Sequence, residues 1–179
     1  MSLSLYEITI PVFIRGLTNL SAILSKGSTY TDAQNLPGAH LLEARLIEDM
    51  GTLVYQIQRV SDTSKNAAAR VAGVEPVSMP DNETTFEELQ ARIQKTIDVL
   101  KAMPADSLDG KEEKEIVVKT RSGEYTASAK DYLLTFALPN FYFHVTTAYD
   151  ILRHNGVPVG KSDYLGLGAM KQRSSESSF

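Results

Sequence analysis

The sequence predicts a mainly α-helical protein, an antiparallel four-helix bundle with a small β-hairpin inserted before the last helix. Apolar residues recur at spacings of three and four over four long segments, which indicates amphipathic helices. One shorter segment is rich in β-branched residues around a glycine, which indicates a hairpin. The composition, 42% hydrophobic and 22% charged over 179 residues, is typical of a globular domain. We therefore expect one helical domain over residues 1–170 and a disordered, serine-rich tail over 171–179.

The first predicted helix carries its apolar residues on one stripe: Ile10, Phe13, Leu17, Leu20 and Leu24. We expect Gly27 to end it, since glycine commonly follows the last helical turn. Pro11 is expected either to begin the regular part or to kink it, because proline has no N–H to donate to the preceding turn. Residues 30–40, with a proline and a glycine, are expected to form a linker.

The second predicted helix is the longest and runs from Leu41 to Ala72, with Gly73 as its stop. Its apolar stripe is Leu46, Met50, Leu53, Ile57 and Val60. The stretch from Val74 to Glu83 contains two prolines and is expected to cross the end of the bundle. A capping box, Thr84 with Glu87 or Thr85 with Glu88, then opens the third helix, which Pro104 closes.

After the third helix the periodicity of the sequence changes. Residues 115–120 and 124–128 are predicted strands, joined at Arg121-Ser122-Gly123. Two strands alone are marginally stable, so the hairpin is expected to pack against the bundle. Residues 130–137 form a predicted short helical turn. Pro139 then suits the first position of the last helix, 140–154.

Charge and cysteine content exclude several classes of function. The net charge of −4 and the pI near 5.4 give no positive field, so we expect neither a nucleic acid nor an anionic membrane as partner. With no cysteine, the chain has no disulfide, no thiolate nucleophile and no cysteine-ligated zinc. The apolar stretch Leu3–Leu24 lacks a basic region before it and contains Glu7, Arg15 and Asn19. It is therefore interpreted as a core helix of a cytoplasmic protein.

Few side chains are candidates for chemistry. Of the three histidines, His144 lies beside the apolar stripe of the last helix, next to Asn140. Arg45, Asp49 and Gln56 lie, with a threonine, at spacings of four, three and four, which would place them on one polar helix face. These five residues could line a pocket between the helices. The alternatives are a histidine hydrogen-bonded at the core edge and a solvated helix face with an Arg-Asp pair.

Three blocks of sequence resemble one known family: Tyr6–Leu17, Ala44–Met50 and Phe141–Gly160. The chain is similar in these blocks to the DUF1993 family of the DinB-like helical-bundle superfamily. The resemblance implies that superfamily's bundle and a pocket between its helices. It also implies a divalent metal, zinc, nickel or manganese, which such proteins often hold with one histidine on the second helix and a His-x-x-x-His pair on the last. Some of these proteins transfer low-molecular-weight thiols.

The ligand pattern that the resemblance implies is only partly present in this sequence. His144 matches the first histidine of the pair, but position 148 is alanine, and the second helix offers Asp49 and Gln56 instead of a histidine. One hypothesis is a small-molecule enzyme in which His144 transfers protons or binds a metal, Asp49 orients it, and Arg45 anchors a substrate anion, with Gln56 and Asn140 lining the pocket. The other is a ligand-binding or dimerisation module without catalysis, and a homodimer is expected.

Overall fold

A computed structural model describes residues 3–120 and 123–169 of the chain. The elements in order are α1 (Leu5–Ala33), α2 (Ala39–Leu42), α3 (Leu53–Ala72), α4 (Phe86–Lys101), β1 (Glu115–Thr120), β2 (Gly123–Ser128), α5 (Ala129–Asp131), a π-helical segment (Tyr132–Ala137), α6 (Leu138–His154), α7 (Lys161–Leu165) and a 3₁₀ turn (Leu167–Ala169). The predicted helical bundle with a small hairpin before the last helix is confirmed. The division into a domain of residues 1–170 and a tail stays a prediction, and the tail lies outside the described residues.

Helix α1 is longer than its sequence pattern indicated. A capping box between Ser4 and Glu7 begins it, and Pro11 lies inside it. The prediction that Gly27 ends the helix is wrong, since Gly27 is buried where α1 meets α6: an added Cβ would lie 3.0 Å from the Leu152 side chain. This glycine allows close helix packing. Although α1 is long and apolar enough to cross a membrane, its core residues are fully buried in the bundle, which indicates a soluble protein.

The predicted helix Leu41–Ala72 is wrong in its first part. Helix α2 ends at Leu42, and an irregular segment of residues 43–52 follows before Thr52 caps α3. Leu46, the first residue of the predicted apolar stripe, is exposed, and so is its neighbour Ile47. The periodicity of 43–52 resembled a helix, but Thr52 offers a strong N-cap whose side chain accepts a hydrogen bond from the Tyr55 N–H.

The four long helices are arranged up, down, down, up. Helices α1 and α4 are antiparallel, since Ser21 bonds Gln90 near one end and Tyr6 reaches Met103 near the other. Helices α3 and α6 are also antiparallel, because Gln56 pairs with His144 and Thr63 with Asn140. Helices α1 and α6 run parallel: Phe141 packs on Phe13 and Gly16, and Leu152 packs on Gly27. Helices α3 and α4 run parallel as well.

The parallel arrangement of α3 and α4 requires a long connection, residues 73–85. We expected this connection to cross the end of the bundle, but it runs back along α3, where Met79 contacts Ser61 and Asp81 pairs with Arg59. A network of alternating charges fixes it: Arg59, Asp62, Lys65, Asp81, Glu83 and Arg92. Buried charges are stable only when they are paired, and the two buried cations of this network, Lys65 and Arg92, both form ion pairs.

The guanidinium of Arg92 is at the centre of this network. Its side chain is 2% exposed and contacts Glu83 at 2.8 Å and Asp62 at 3.0 Å. Burial raises the pKa of the Glu83 carboxyl, but hydrogen bonds from Arg92 and Gln58 outweigh it, so the pKa is lowered overall. The capping box Thr85–Glu88 then begins α4, as predicted.

The segment that leads into the hairpin is bonded to α3 through two lysines. Lys111 Nζ donates to the Ala72 carbonyl at 2.7 Å, and Lys114 Nζ donates to the carbonyls of Arg70 and Val71. These bonds satisfy the last carbonyls of α3, a role that cations suit because of the helix dipole. The strands pair in antiparallel register from Glu115 with Ser128 to Thr120 with Gly123. The hairpin is thereby fixed beside the C-terminal end of α3.

Candidate functional site

A chain of hydrogen bonds orients the imidazole of His144. The Gln56 amide, on α3, donates from Nε2 to the Gly51 carbonyl at 2.9 Å. Its Oε1 lies 2.7 Å from His144 Nδ1, on α6. Gln56 is 2% exposed, so its amide cannot turn without losing both bonds. The backbone of segment 43–52 therefore sets the orientation of Gln56, and Gln56 sets that of His144.

This chain determines which nitrogen of His144 carries the proton. Because the NH₂ group of Gln56 bonds the Gly51 carbonyl, Gln56 presents an oxygen, which can only accept, to His144. Nδ1 must then donate, and in the neutral ring Nε2 keeps a lone pair. In the described part of the chain, no side chain or backbone group is hydrogen-bonded to His144 Nε2. The site presents one hydrogen-bond acceptor.

The surroundings of His144 keep the ring neutral. Burial between the helices, and secondarily the Arg59 guanidinium, lower the pKa of His144 from 6.5 to about 4. Two aromatic rings flank it edge-on, Tyr55 at 6.2 Å and Phe143 at 5.2 Å between centroids. The side chain of Phe143 is 55% exposed and that of Tyr55 45%. His144 Nε2 is therefore an unprotonated nitrogen in an aromatic, partly desolvated environment.

His144 lies at one end of a row of hydrogen-bonded pairs, here called the polar seam, that joins α3 to the π-helical segment and α6. The seam consists of three hydrogen-bonded pairs: Gln56–His144, Thr63–Asn140 at 2.9 Å, and Arg70–Tyr132 at 2.7 Å. The three α3 residues recur every seven positions, which is two helical turns and keeps them on one face. Asn140 and His144 on α6 thus face the α3 surface that carries Gln56, as the sequence indicated. The amide N–H of Asn140 donates to the Thr63 hydroxyl.

Arg45 and Asp49, the other two predicted pocket residues, do not share the Gln56 helix face. Both are exposed on segment 43–52, which is not helical. Arg45 Nη1 donates to the carbonyls of Glu48 and Met50, so its guanidinium braces this segment next to Gly51. Over residues 3–120 and 123–169, no hydrogen bond or ion pair joins Asp49 to His144. The catalytic roles assigned to His144 and Asp49 stay predictions.

The donor set does not fit the metal that the superfamily resemblance implies. A metal-bound imidazole normally donates its second N–H to an acceptor, and His144 donates in that way to Gln56. The other ligand positions lack donors: Ala148 is fully buried in the core, and the Gln56 oxygen is occupied. In the described residues, no three histidine or acidic side chains cluster as ligands would. One imidazole is below the three protein ligands that catalytic zinc usually has.

Sequence reasoning missed Thr63, Arg70 and Tyr132, which complete the seam. The signal for the first two was present, since Gln56, Thr63 and Arg70 have heptad spacing in a helix that was correctly placed from Leu53 onward. Tyr132 could not be found in this way, because a π-helical segment shifts the angular positions of the residues that precede α6.

Comparisons with known proteins agree with this fold. The model of the domain of unknown function DUF1993 matches residues 5–165. A crystal structure of a DinB family member protein from Shewanella denitrificans superposes with a TM-score of 0.84, at 35% sequence identity and with 95% of each chain covered. No curated protein matches this chain.

Proposed function

Since this chain belongs to the DUF1993 family, a family of unknown function, we propose a function from its own residues: a small-molecule site that works without a metal, with the neutral imidazole of His144 as its functional group. The single observation that carries the proposal is the chain Gly51–Gln56–His144, which leaves Nε2 as an acceptor beside two exposed aromatic rings. We propose that the protein is cytoplasmic, a compartment in which proteins are stable without disulfides, as a chain without cysteine must be.

The proposed ligand is a small organic molecule with an O–H or N–H group. That group donates a hydrogen bond to His144 Nε2, while Phe143 and Tyr55 contact the apolar part of the molecule. Aromatic walls with a few convergent polar groups are the usual composition of ligand sites. The pKa of about 4 makes Nε2 a weak base, so it binds donors at neutral pH without taking their protons.

Proton transfer at this site is restricted to acidic donors for the same reason. When Nε2 accepts a proton, the charge spreads over the ring, and Gln56 Oε1 stabilises the Nδ1–H of the resulting imidazolium. No carboxylate does so, which is the main chemical difference from a His-Asp pair. We therefore propose binding as the primary function and general-base catalysis only on substrates whose O–H or N–H is already acidic.

The experiment follows the two ring nitrogens of His144 in protein labelled with ¹⁵N-histidine. Phenol and acetamide serve as donor probes, and anisole, a molecule shaped like phenol without its O–H, is the matched control. Phenol is expected to shift Nε2 with saturation, whereas anisole leaves Nε2 unchanged. Zinc, nickel and manganese, added at one equivalent each, should neither broaden nor shift these signals, and elemental analysis should find less than one metal per chain.

Two outcomes would overturn the proposal. Stoichiometric metal that is lost in His144→Ala would show that the site is a metal centre. Equal shifts with phenol and anisole would show that Nε2 is not the group that recognises the ligand. His154→Ala is the control for both arms, because His154 is exposed at the end of the same helix.

A second candidate function, a dimerisation module, is favoured by the exposed apolar side chains at the same end of the bundle. Phe143 and Tyr55 flank His144, and Leu46 and Ile47 are exposed on segment 43–52. Exposed apolar patches often mark protein interfaces. A dimer in solution at micromolar concentration that Phe143→Ser converts to a monomer would support this candidate. A wild-type monomer at that concentration would count against it.

A further inference from the structure

A cleft lies at the opposite end of the polar seam from His144. It has a volume of about 410 Å³, within the range of small-molecule sites, and it lies between the hairpin and the π-helical segment. We propose that this cleft binds a planar aromatic carboxylate, with the ring against Phe136 and the carboxylate at Arg70. The proposal is independent of the function assigned to His144.

The walls of the cleft are apolar and flat. Tyr132 and Phe136 stack with an interplanar angle of 23° and centroids 5.8 Å apart, forming one wall. Val118 and Tyr125, which face each other across the hairpin, form the opposite wall. Phe136 is 42% exposed and Tyr125 54%, although both belong to elements that pack against the bundle. Two aromatic walls in a concave site favour a flat ring between them.

The π-helical segment explains why Phe136 faces this cleft. Pro139 stands in the first turn of α6 and has no N–H, so the helix that precedes it cannot keep its regular bonds there. The Leu138 N–H instead bonds the Leu133 carbonyl, five residues back. This widened turn alters the direction of the side chains from Tyr132 to Ala137. Such π-helical turns occur frequently at functional sites.

Arg70, which does not line the cleft but is hydrogen-bonded to the Tyr132 hydroxyl beside it, supplies the charge that selects an anion. Its Nη1 donates to the Tyr132 hydroxyl at 2.7 Å, and its guanidinium carbon lies 5.5 Å from the centre of the Tyr132 ring, which lines the cleft. Among the described residues, Arg70 has no acidic partner within ion-pair distance, in contrast to the paired Arg59 and Arg92. Because the Tyr132 oxygen accepts from Arg70, its O–H can donate to a carboxylate, and so can the remaining guanidinium N–H groups.

The test measures the binding of 1-naphthoate to the full chain by calorimetry, with uncharged methyl 1-naphthoate, which has no O–H to donate to His144, as the matched probe. We expect saturable binding of naphthoate, at least tenfold tighter than that of the ester. Arg70→Gln should weaken naphthoate about tenfold and change the binding of the ester by less than about twofold, because a charge-assisted hydrogen bond is lost only for the carboxylate. Ala127→Trp, on the same face of the hairpin as Tyr125, should fill the cleft and abolish the binding of both probes.

Matched variants locate the site. Phe136→Ala should weaken naphthoate, whereas Phe143→Ala, which removes a similarly exposed ring at the His144 end, should not. If Ala127→Trp lowers the melting temperature strongly, Phe136→Ala carries the test of position. Three results would overturn the proposal: no saturable binding of naphthoate, equal binding of naphthoate and the ester, or equal loss in Phe136→Ala and Phe143→Ala. His144→Ala separates this site from the proposed function, because it should leave naphthoate binding unchanged.

Discussion

The buried imidazole of His144 should make the stability of the protein depend on pH in a specific window. Its pKa is lowered from 6.5 to about 4 in the folded state. Between these values the unfolded chain binds a proton that the folded chain does not bind, so the free energy of unfolding falls as the pH falls. The stabilisation is fully present above pH 6.5 and is lost progressively down to about pH 4.

The size of this effect follows from the linkage relation. A change of one in pKa corresponds to about 1.4 kcal/mol, so full lowering would remove about 2 kcal/mol of stability between pH 8 and pH 5. His144 is half-buried, and solvent screening reduces this to about 1 kcal/mol. Glu83, whose lowered pKa acts on stability only below its ordinary value of 4.5, contributes little in this window.

The assay is urea denaturation of the wild type, His144→Gln and His154→Gln at half-unit intervals from pH 8 to pH 5. The difference in the free energy of unfolding between wild type and His144→Gln should shrink by about 1 kcal/mol as the pH falls. The wild type loses stability because its unfolded state takes up a proton at His144, whereas glutamine does not titrate in this range. His154→Gln, which replaces an exposed histidine of the same helix, should parallel the wild type. Parallel curves for wild type and His144→Gln would refute the argument, since the ring would then titrate alike in both states.

Three further predictions follow from the contacts. Gln56→Leu should lower the free energy of unfolding by about 1–3 kcal/mol, since it leaves the Nδ1–H of His144 without its partner, and NMR should then show both ring tautomers. Arg92→Ala should cost about 3–5 kcal/mol in urea denaturation because the nearly buried Glu83 carboxylate loses its one ion pair among the described residues, whereas exposed Lys95→Ala on the same helix should change stability by less than about 0.5 kcal/mol. Gly51→Ala should displace the Tyr55 ring, because an added Cβ would collide with it. An unchanged Tyr55 ring spectrum would contradict the packing described.

The sequence was sufficient for the bundle because each long helix has a strong local signal. The Thr85–Glu88 capping box and the apolar stripes of α4 and α6 place those helices nearly to the residue. The hairpin was predictable for the same reason, since its β-branched residues change the period. The predictions that failed depend on tertiary packing. Gly27 was predicted to end α1, but it lies inside the helix and allows Leu152 to approach, which can be seen only from the position of α6.

The candidate site was predictable only in part. His144, Gln56 and Asn140 are brought to one seam, as the helical spacing indicated. Arg45 and Asp49 were misplaced because a helical period continues through residues 43–52, although the backbone there folds into an irregular segment. The path of residues 73–85 also escaped prediction, because its ion pairs with α3 and α4 join residues that are not adjacent in sequence. Pairing across such distances leaves no periodic signal.

The most direct test of the central claim is a long-range ¹H–¹⁵N correlation spectrum of the histidine rings at pH 7, with His144→Gln used for assignment. We expect that His144 is neutral, with a protonated Nδ1 and an unprotonated Nε2, and that one equivalent of zinc leaves both signals in place. An imidazolium, the opposite tautomer, or a zinc-induced shift of Nε2 at that stoichiometry would contradict it.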